Sequence, residues 1–147
     1  MNDRVVITGL GLVCAIGNNA DECFDNALEG KVGIKEVKSV EHSACYAHIG
    51  GENNAFVTPE GEDRASALCI KAAEEAVSDS GLNVSADPDR VSVVVGSCVG
   101  GAVSIEKFYR DYVADPAKAK GEDVLKMPIS AIANNVALKF GAQGAVD

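Results

Sequence analysis

Two short apolar runs, each followed by a glycine-rich turn, constrain the fold of this 147-residue chain most strongly. Residues 4–8 precede Gly9, and residues 91–95, four of which are valine, precede Gly96. A short apolar run bounded by glycine is typical of a strand that is covered on both faces. We therefore predict two buried strands and place residues 91–95 at the centre of a sheet.

Apolar stripes at helical spacing follow each of these runs. Asn19, with Glu22 three residues later, predicts the capped start of a helix that ends at Gly30. Further start and stop residues predict helices over residues 58–81, 102–115 and 128–141. Residues 31–57 have weak periodicity and are expected to form irregular strands and loops. The alternation of buried strands with helices predicts an α/β sheet covered by helices.

The charge balance and the length of the apolar runs exclude several classes of protein. Thirteen Lys and Arg against 22 Asp and Glu give a net charge of −9, which argues against nucleic acid as a partner. No apolar run approaches the ~20 residues of a membrane span, and the start of the chain lacks the features of a secretory signal. We therefore expect a cytoplasmic protein that binds neither nucleic acid nor a membrane.

The cysteines and histidines do not form a recognisable metal or disulfide pattern. Five cysteines, an odd number without CxxC spacing, predict reduced thiols rather than a disulfide framework or a zinc site. His42, Cys45 and His48 are the closest approach to a ligand cluster, and solvated loop residues are the favoured interpretation. No metal and no cofactor is predicted.

The first glycine turn, residues 9–14, begins like a dinucleotide-binding motif. Cys14 stands where the third glycine would allow close packing of the helix, and Gly17, Asn18 and Asn19 separate the turn from that helix. A pyrophosphate would therefore find no helix N-terminus at the turn. The pattern argues against a nucleotide site.

The second turn places a thiol between glycines, Gly96-Ser97-Cys98-Val99-Gly100, after a strand and before a helix. That context fits a nucleophile elbow, but no histidine follows Cys98 to serve as its base. Glycines that allow a tight structural turn are the favoured interpretation. A thiol hydrolase that uses Cys98 is the least favoured alternative.

Several motifs in a fixed order extend this pattern along the chain. They are residues 4–11 with Gly17, residues 28–34, Asp63-Arg64, residues 79–82, residues 95–101, Asn134 and residues 140–144. Together they resemble the N-terminal half of β-ketoacyl-acyl carrier protein synthases. The resemblance spans essentially all 147 residues.

The resemblance implies the thiolase fold, layered α-β-α-β-α, of which this chain would supply the first half with a mixed sheet covered by helices. It implies a homodimer that joins an acyl thioester to malonyl-acyl carrier protein through a cysteine nucleophile and two histidines. By motif position these catalytic residues are expected beyond Asp147. Residues 1–147 are thus expected to be an incomplete N-terminal part of the synthase domain, inactive alone and completed by a C-terminal half. No catalytic residue is assigned.

The resemblance assigns a few binding positions and leaves one alternative function. Val99 matches an apolar residue of the acyl-pocket wall, although a plain core role for it is equally open, and Cys98, Gly100 and Gly101 belong to the adjoining turn. Cys98 replaces a usual glycine, which would strain the backbone if its φ were positive. The acidic residues 59–62 replace basic residues of the family that help to dock the acidic carrier protein, so docking there is expected to be repulsive. A non-catalytic chain-length factor that dimerises with an active synthase is the alternative.

Overall fold

The computed structural model describes residues 4–147, which form two compact units. The first unit contains the described residues up to Val57 together with Lys71–Gly81. The second contains Thr58–Ile70 and Leu82–Asp147. The long helix α2, Arg64–Ser80, contributes its first part to the second unit and the remainder to the first.

The first unit contains helix α1, Ala20–Leu28, and a short hairpin. The Asn19 side chain accepts a hydrogen bond from the Glu22 N–H at 2.8 Å, which confirms the predicted cap. Beyond the end of the helix, Gly30 has the left-handed φ of +71°, which confirms the predicted stop. The hairpin pairs β1, Ile34–Glu36, antiparallel to β2, Ile49–Gly51, within the segment predicted to be irregular.

Helix α2 begins later than the sequence predicts. The expected start at Thr58 and Pro59 is wrong, because the Asp63 side chain accepts a hydrogen bond from the Ser66 N–H at 3.0 Å and caps the helix at Arg64. Gly61, with φ of +80°, interrupts helical backbone before that cap. The predicted end is confirmed, since Gly81 has φ of +65°.

The first predicted strand, residues 4–8, is not a strand in the structure. Val5, Val6 and Ile7 are 99%, 71% and 83% exposed, and no β-ladder within residues 4–147 includes them. An apolar run becomes a buried strand only when another segment pairs with its backbone and covers its side chains. The prediction is therefore wrong for the described part of the chain.

Residues 91–95 are extended, but they are not covered on both faces. The Val93 N–H donates to the Ala145 carbonyl at 2.9 Å and the Asp147 N–H donates to the Val93 carbonyl at 3.0 Å, which forms a parallel bridge. Val94 is 76% exposed. The extended conformation agrees with the prediction. The expected place at the centre of a sheet and the expected burial on both faces are wrong for residues 4–147, because Val93 forms an isolated bridge and the described residues do not cover the Val94 side.

The core of the second unit lies along helix α4, Ser130–Phe140. Four residues of its predicted apolar stripe are buried, whereas Ile129 at the start of that stripe is 55% exposed. Gly141, at φ of +72°, ends the helix as expected. Helix α3, Ala102–Ala114, and a 3-10 helix, Gly121–Lys126, precede it in the chain. The buried apolar residues of this unit are Ala67, Val84, Ile132, Ala133, Val136 and Ala137. Within residues 4–147, no helix has both the length and the apolar character of a membrane span.

Candidate functional site

The second glycine turn, residues 96–101, connects the extended residues 91–95 to helix α3. Its backbone is fixed by local hydrogen bonds. The Gly100 N–H donates to Ser97 Oγ at 3.2 Å, and the Ala102 N–H donates to the Val99 carbonyl at 2.9 Å. Val99 is therefore held on a turn whose ends are tied together.

The last two glycines of the turn are favoured for different reasons, Gly100 by its backbone conformation and Gly101 by its surroundings. Gly100 has φ of +23°, and a Cβ on it would lie 3.5 Å from Cδ1 of Ile132 in α4. A Cβ on the buried Gly101 would overlap the carbonyl oxygen of Lys126. The positive φ of Gly100 and the close approach at Gly101 support the structural interpretation of the glycines.

The side chains carried by the turn are open to solvent. Val99 is 68% exposed and Cys98 is exposed as well. Cys98 does not have a positive φ, since no non-glycine residue in the described part of the chain does, so the strain considered for this substitution is absent. The second unit has no histidine in its sequence, which leaves Cys98 without an imidazole base within that unit. The place of Val99 on an acyl-pocket wall stays a prediction.

A groove in the second unit has a volume of about 740 Å³ and lies along α4 and the start of α2. Asp63 and Ser66 on its floor are buried, and the Asn135 side chain donates a hydrogen bond to Ser66 Oγ at 3.0 Å. Because these polar groups satisfy one another, they stabilise the groove and are not poised to react. Neither Cys98 nor Val99 lines it.

The first glycine turn packs against α2, and acidic side chains occupy its backbone donors. The Leu10 N–H donates to Asp79 Oδ2 at 2.9 Å, and the Leu12 N–H donates to Glu75 Oε2 at 2.9 Å. A Cβ on Gly11 would overlap the carbonyl oxygen of Ala72. Since these carboxylates would repel a pyrophosphate, the geometry agrees with the sequence argument against a nucleotide site. Asp79 belongs to the motif of residues 79–82, whereas Glu75, one helical turn before it, lies in none of the sequence motifs.

The His42 and His48 rings meet edge to face, with centroids 5.2 Å apart. Cys45 between them in sequence is exposed. Over residues 4–147, no group of three or more histidine, cysteine, aspartate or glutamate residues is arranged to hold a metal ion. His42 and His48 therefore interact through their rings in the structure.

Glu52 and Asp123 have lowered pKa values for structural reasons. A hydrogen bond from the Ser39 side chain, with further bonds from the Lys38 and Ser39 N–H groups, lowers the pKa of Glu52 to about 2. A hydrogen bond from Lys126 at 2.9 Å lowers the pKa of Asp123, and the charge of Lys107 adds to the effect. Both carboxylates are held ionised by local donors, which suits them to fixing loops rather than to transferring protons.

Comparison with known proteins finds similarity over nearly the whole length of the chain. The family described as "Beta-ketoacyl synthase, N-terminal domain" matches residues 2–146. The 3-oxoacyl-[acyl-carrier-protein] synthase 2 of Staphylococcus aureus (strain COL) is 30% identical over 153 aligned residues, which cover 97% of this chain and 37% of that protein. The chain thus spans little more than a third of the length of this relative.

Solved structures resemble the same region. The ishigamide ketosynthase/chain length factor has a TM-score of 0.84 at 20% identity, over 97% of this chain and 38% of the matched one. A type II PKS acyl-carrier protein in complex with its ketosynthase bound to the hexaketide gives a TM-score of 0.79 at 24% identity, over 97% and 36%. These likenesses establish the fold and confirm the predicted α/β, thiolase-like class.

Proposed function

The chain belongs to the β-ketoacyl synthase family, and from that premise we propose that the protein condenses an acyl thioester with malonyl-acyl carrier protein in fatty-acid or polyketide synthesis. The observation that carries the proposal is the match of residues 2–146 to the family's N-terminal domain. In the proposed reaction an enzyme thiolate takes the acyl group and releases the carrier thiol. Malonyl-acyl carrier protein then loses carbon dioxide, and the resulting enolate attacks the acyl-enzyme and frees the thiolate.

This chain's part in that reaction is to build one side of the acyl site and to pack against the rest of the protein. The nucleophile and the two histidines are proposed to lie in the C-terminal half, so residues 1–147 alone are expected to be inactive. The exposed apolar side chains of Val5, Ile7 and Val94 support such packing, because surfaces of this kind are stabilised when another segment covers them. We further propose that the complete protein is a homodimer.

We propose that Val99 forms part of the acyl-pocket wall. Its β-branched side chain has few rotamers, and the turn beneath it is fixed by Gly100 and Gly101 against Ile132 and Lys126. A stiff side chain on a fixed turn gives a wall that yields little to a longer acyl chain. Val99 therefore bears on the chain length of the product.

The carrier protein is proposed to dock away from residues 59–62. Glu60 and Glu62 are exposed, and two negative charges there disfavour contact with an acidic carrier. Docking through another surface is the arrangement that the charges favour. Replacing both glutamates with lysine should therefore leave the KM for carrier-bound substrate unchanged or lower it, and a raised KM would contradict this proposal.

The alternative function is a chain-length-factor-like subunit, and one solved structure of the same fold is compatible with it. The ishigamide ketosynthase/chain length factor shares the fold of this chain with a TM-score of 0.84. Such a subunit would bind an active synthase, shape its pocket and perform no condensation itself.

The full-length protein, incubated with acyl- and malonyl-acyl carrier protein, distinguishes the two functions. A synthase should release carbon dioxide and form one 3-oxoacyl thioester for each molecule released, as measured by mass spectrometry. Iodoacetamide should abolish this activity by labelling a cysteine outside residues 1–147, and Cys45→Ser, an exposed-thiol control, should remain active and remain sensitive. Activity loss that tracks labelling of a cysteine within residues 1–147 would contradict the assignment of the nucleophile. If the protein catalyses no condensation by itself but changes the product length of an added synthase, it is a chain-length factor instead.

A further inference from the structure

The structure brings Cys14 and Cys23 together, although their spacing in sequence did not predict a pair. The two Sγ atoms lie 3.2 Å apart and share a hydrogen bond. Cys14 lies in a tight turn in which its N–H donates to the Gly17 carbonyl at 2.9 Å and its carbonyl accepts a hydrogen bond from the Gly17 N–H at 3.3 Å. Cys23 lies near the start of α1.

Side chains from elsewhere in the first unit hold the two segments in this arrangement. The Asn53 side chain donates to the carbonyl oxygens of Cys14 and Gly17, at 2.9 and 3.3 Å. One carboxylate, that of Glu75, accepts the N–H of Leu12 before the turn and the N–H of Ala20 at the start of α1. These bonds fix the backbone of the turn that carries Cys14 and connect it to the start of α1.

Gly17 leaves the space that the second sulfur occupies. A Cβ at this position would lie 2.7 Å from Sγ of Cys23, closer than packed atoms approach. The glycine thus lets the turn close onto the thiol of α1.

The two thiols differ in exposure and in acidity. Cys14 is partly exposed, and a hydrogen bond from the Ile16 backbone, followed by one from Cys23, lowers its pKa. Cys23 is 3% exposed, and burial raises its pKa to about 11. An oxidant from solvent therefore meets the thiol that ionises more readily, while its buried neighbour remains protonated.

We propose that Cys14 and Cys23 are an oxidation site, at which hydrogen peroxide converts the two thiols into an intramolecular disulfide. The Cys14 thiolate attacks one peroxide oxygen, the O–O bond breaks, and the products are Cys14 sulfenic acid and hydroxide, which takes up a proton to form water. Cys23 sulfur then attacks Cys14 sulfur, the S–O bond breaks, and the leaving hydroxide and the Cys23 proton form a second water. Two thiols lose two electrons and peroxide gains them. The inference does not depend on the proposed condensing activity.

Trypsin gives a direct test on the full-length protein, because cleavage after Arg4 and Lys31 releases both cysteines, and no other, in one peptide of residues 5–31. The protein is treated with hydrogen peroxide, quenched with catalase, unfolded in iodoacetamide without reductant and digested. We expect most of this peptide to be unlabelled and lighter by two hydrogens than the reduced peptide, and dithiothreitol should restore two labels. The exposed Cys45 and Cys98 fall on separate peptides and serve as internal controls for dose.

Variants separate a specific pair from general thiol oxidation. Cys45→Ser should leave disulfide formation unchanged, whereas Cys23→Ser should abolish it and let Cys14 proceed to sulfinic acid. The proposal is overturned if the wild-type peptide still takes two labels at doses that oxidise Cys98. It is equally overturned if Cys14 becomes sulfinic acid in wild type while Cys23 takes its label. The wild-type measurement decides even where a variant fails to fold.

Discussion

The backbone of Gly101 lies against the carbonyl group of Lys126, so closely that no Cβ can stand between them. Gly101 precedes α3, and Lys126 ends the 3-10 helix Gly121–Lys126. Elements that approach so closely fix the turn of residues 96–101 from its C-terminal side. The position of Val99 thus depends on a contact two residues away.

Gly101→Ala should destabilise the full-length protein by about 1–3 kcal/mol, because a methyl group forced into this contact must displace backbone. Its melting temperature should fall accordingly. Gly96→Ala is the matched control, since it lies in the same turn, has no positive φ and has open space around its Cβ position. Equal melting temperatures for the two variants would contradict the close contact at Gly101.

Glu75→Ala should destabilise the protein by about 1–3 kcal/mol, because the Leu12 and Ala20 N–H groups both lose their acceptor. Denaturant unfolding at neutral pH measures the difference. Glu60→Ala, which removes an exposed glutamate in a loop, should change the free energy of unfolding by less than about 0.5 kcal/mol. If the two substitutions have the same effect, the Glu75 bridge does not stabilise the turn.

Asp123 should make stability depend on pH in the acid range. Its pKa is lower in the folded state than the ordinary value of about 3.9, because Lys126 and then Lys107 favour the carboxylate. A lowered folded-state pKa stabilises the protein above the unfolded value, and that stability is lost as the pH falls through the folded value. The free energy of unfolding of wild type should therefore exceed that of Asp123→Asn by a constant amount above about pH 5 and by less below about pH 4. A difference that grows on acidification would contradict this assignment.

Local signals in the sequence predicted the helices well. Asn19, Gly30, Gly81 and Gly141 act through their own backbone or the next helical turn, so their effect can be read without tertiary structure. The predicted start of α2 was wrong because Thr58 and Pro59 suit a helix start as well as Asp63 does. The choice between such candidates depends on Gly61 and on contacts that a local pattern does not contain.

Burial and pairing were predicted less well, since both depend on distant residues. The apolar residues 4–8 resemble a buried strand in composition, but the described residues give them no backbone partner. Cys14 and Cys23 meet through a turn closed at Gly17 and fixed by Asn53, which cysteine spacing alone does not reveal. The turn around Val99 was predicted because its glycines can be recognised in the sequence without knowledge of their contacts.

Val99 should control the length of the acyl product. If it forms the pocket wall, Val99→Phe fills space and should shift the products of the full-length enzyme towards shorter chains, whereas Val99→Ala should shift them towards longer ones. Mass spectrometry of the acyl products measures the distribution at matched turnover. Val32→Phe is the control, because Val32 is similarly exposed, at 65% against 68%, but lies in the other compact unit. The wall is supported if the Phe and Ala variants of Val99 shift the product length in opposite directions and Val32→Phe does not shift it. A general loss of stability would lower turnover in both Val99 variants, but it would not shift the product length in opposite directions. An unchanged product distribution in both Val99 variants would instead leave Val99 as a surface residue of the turn.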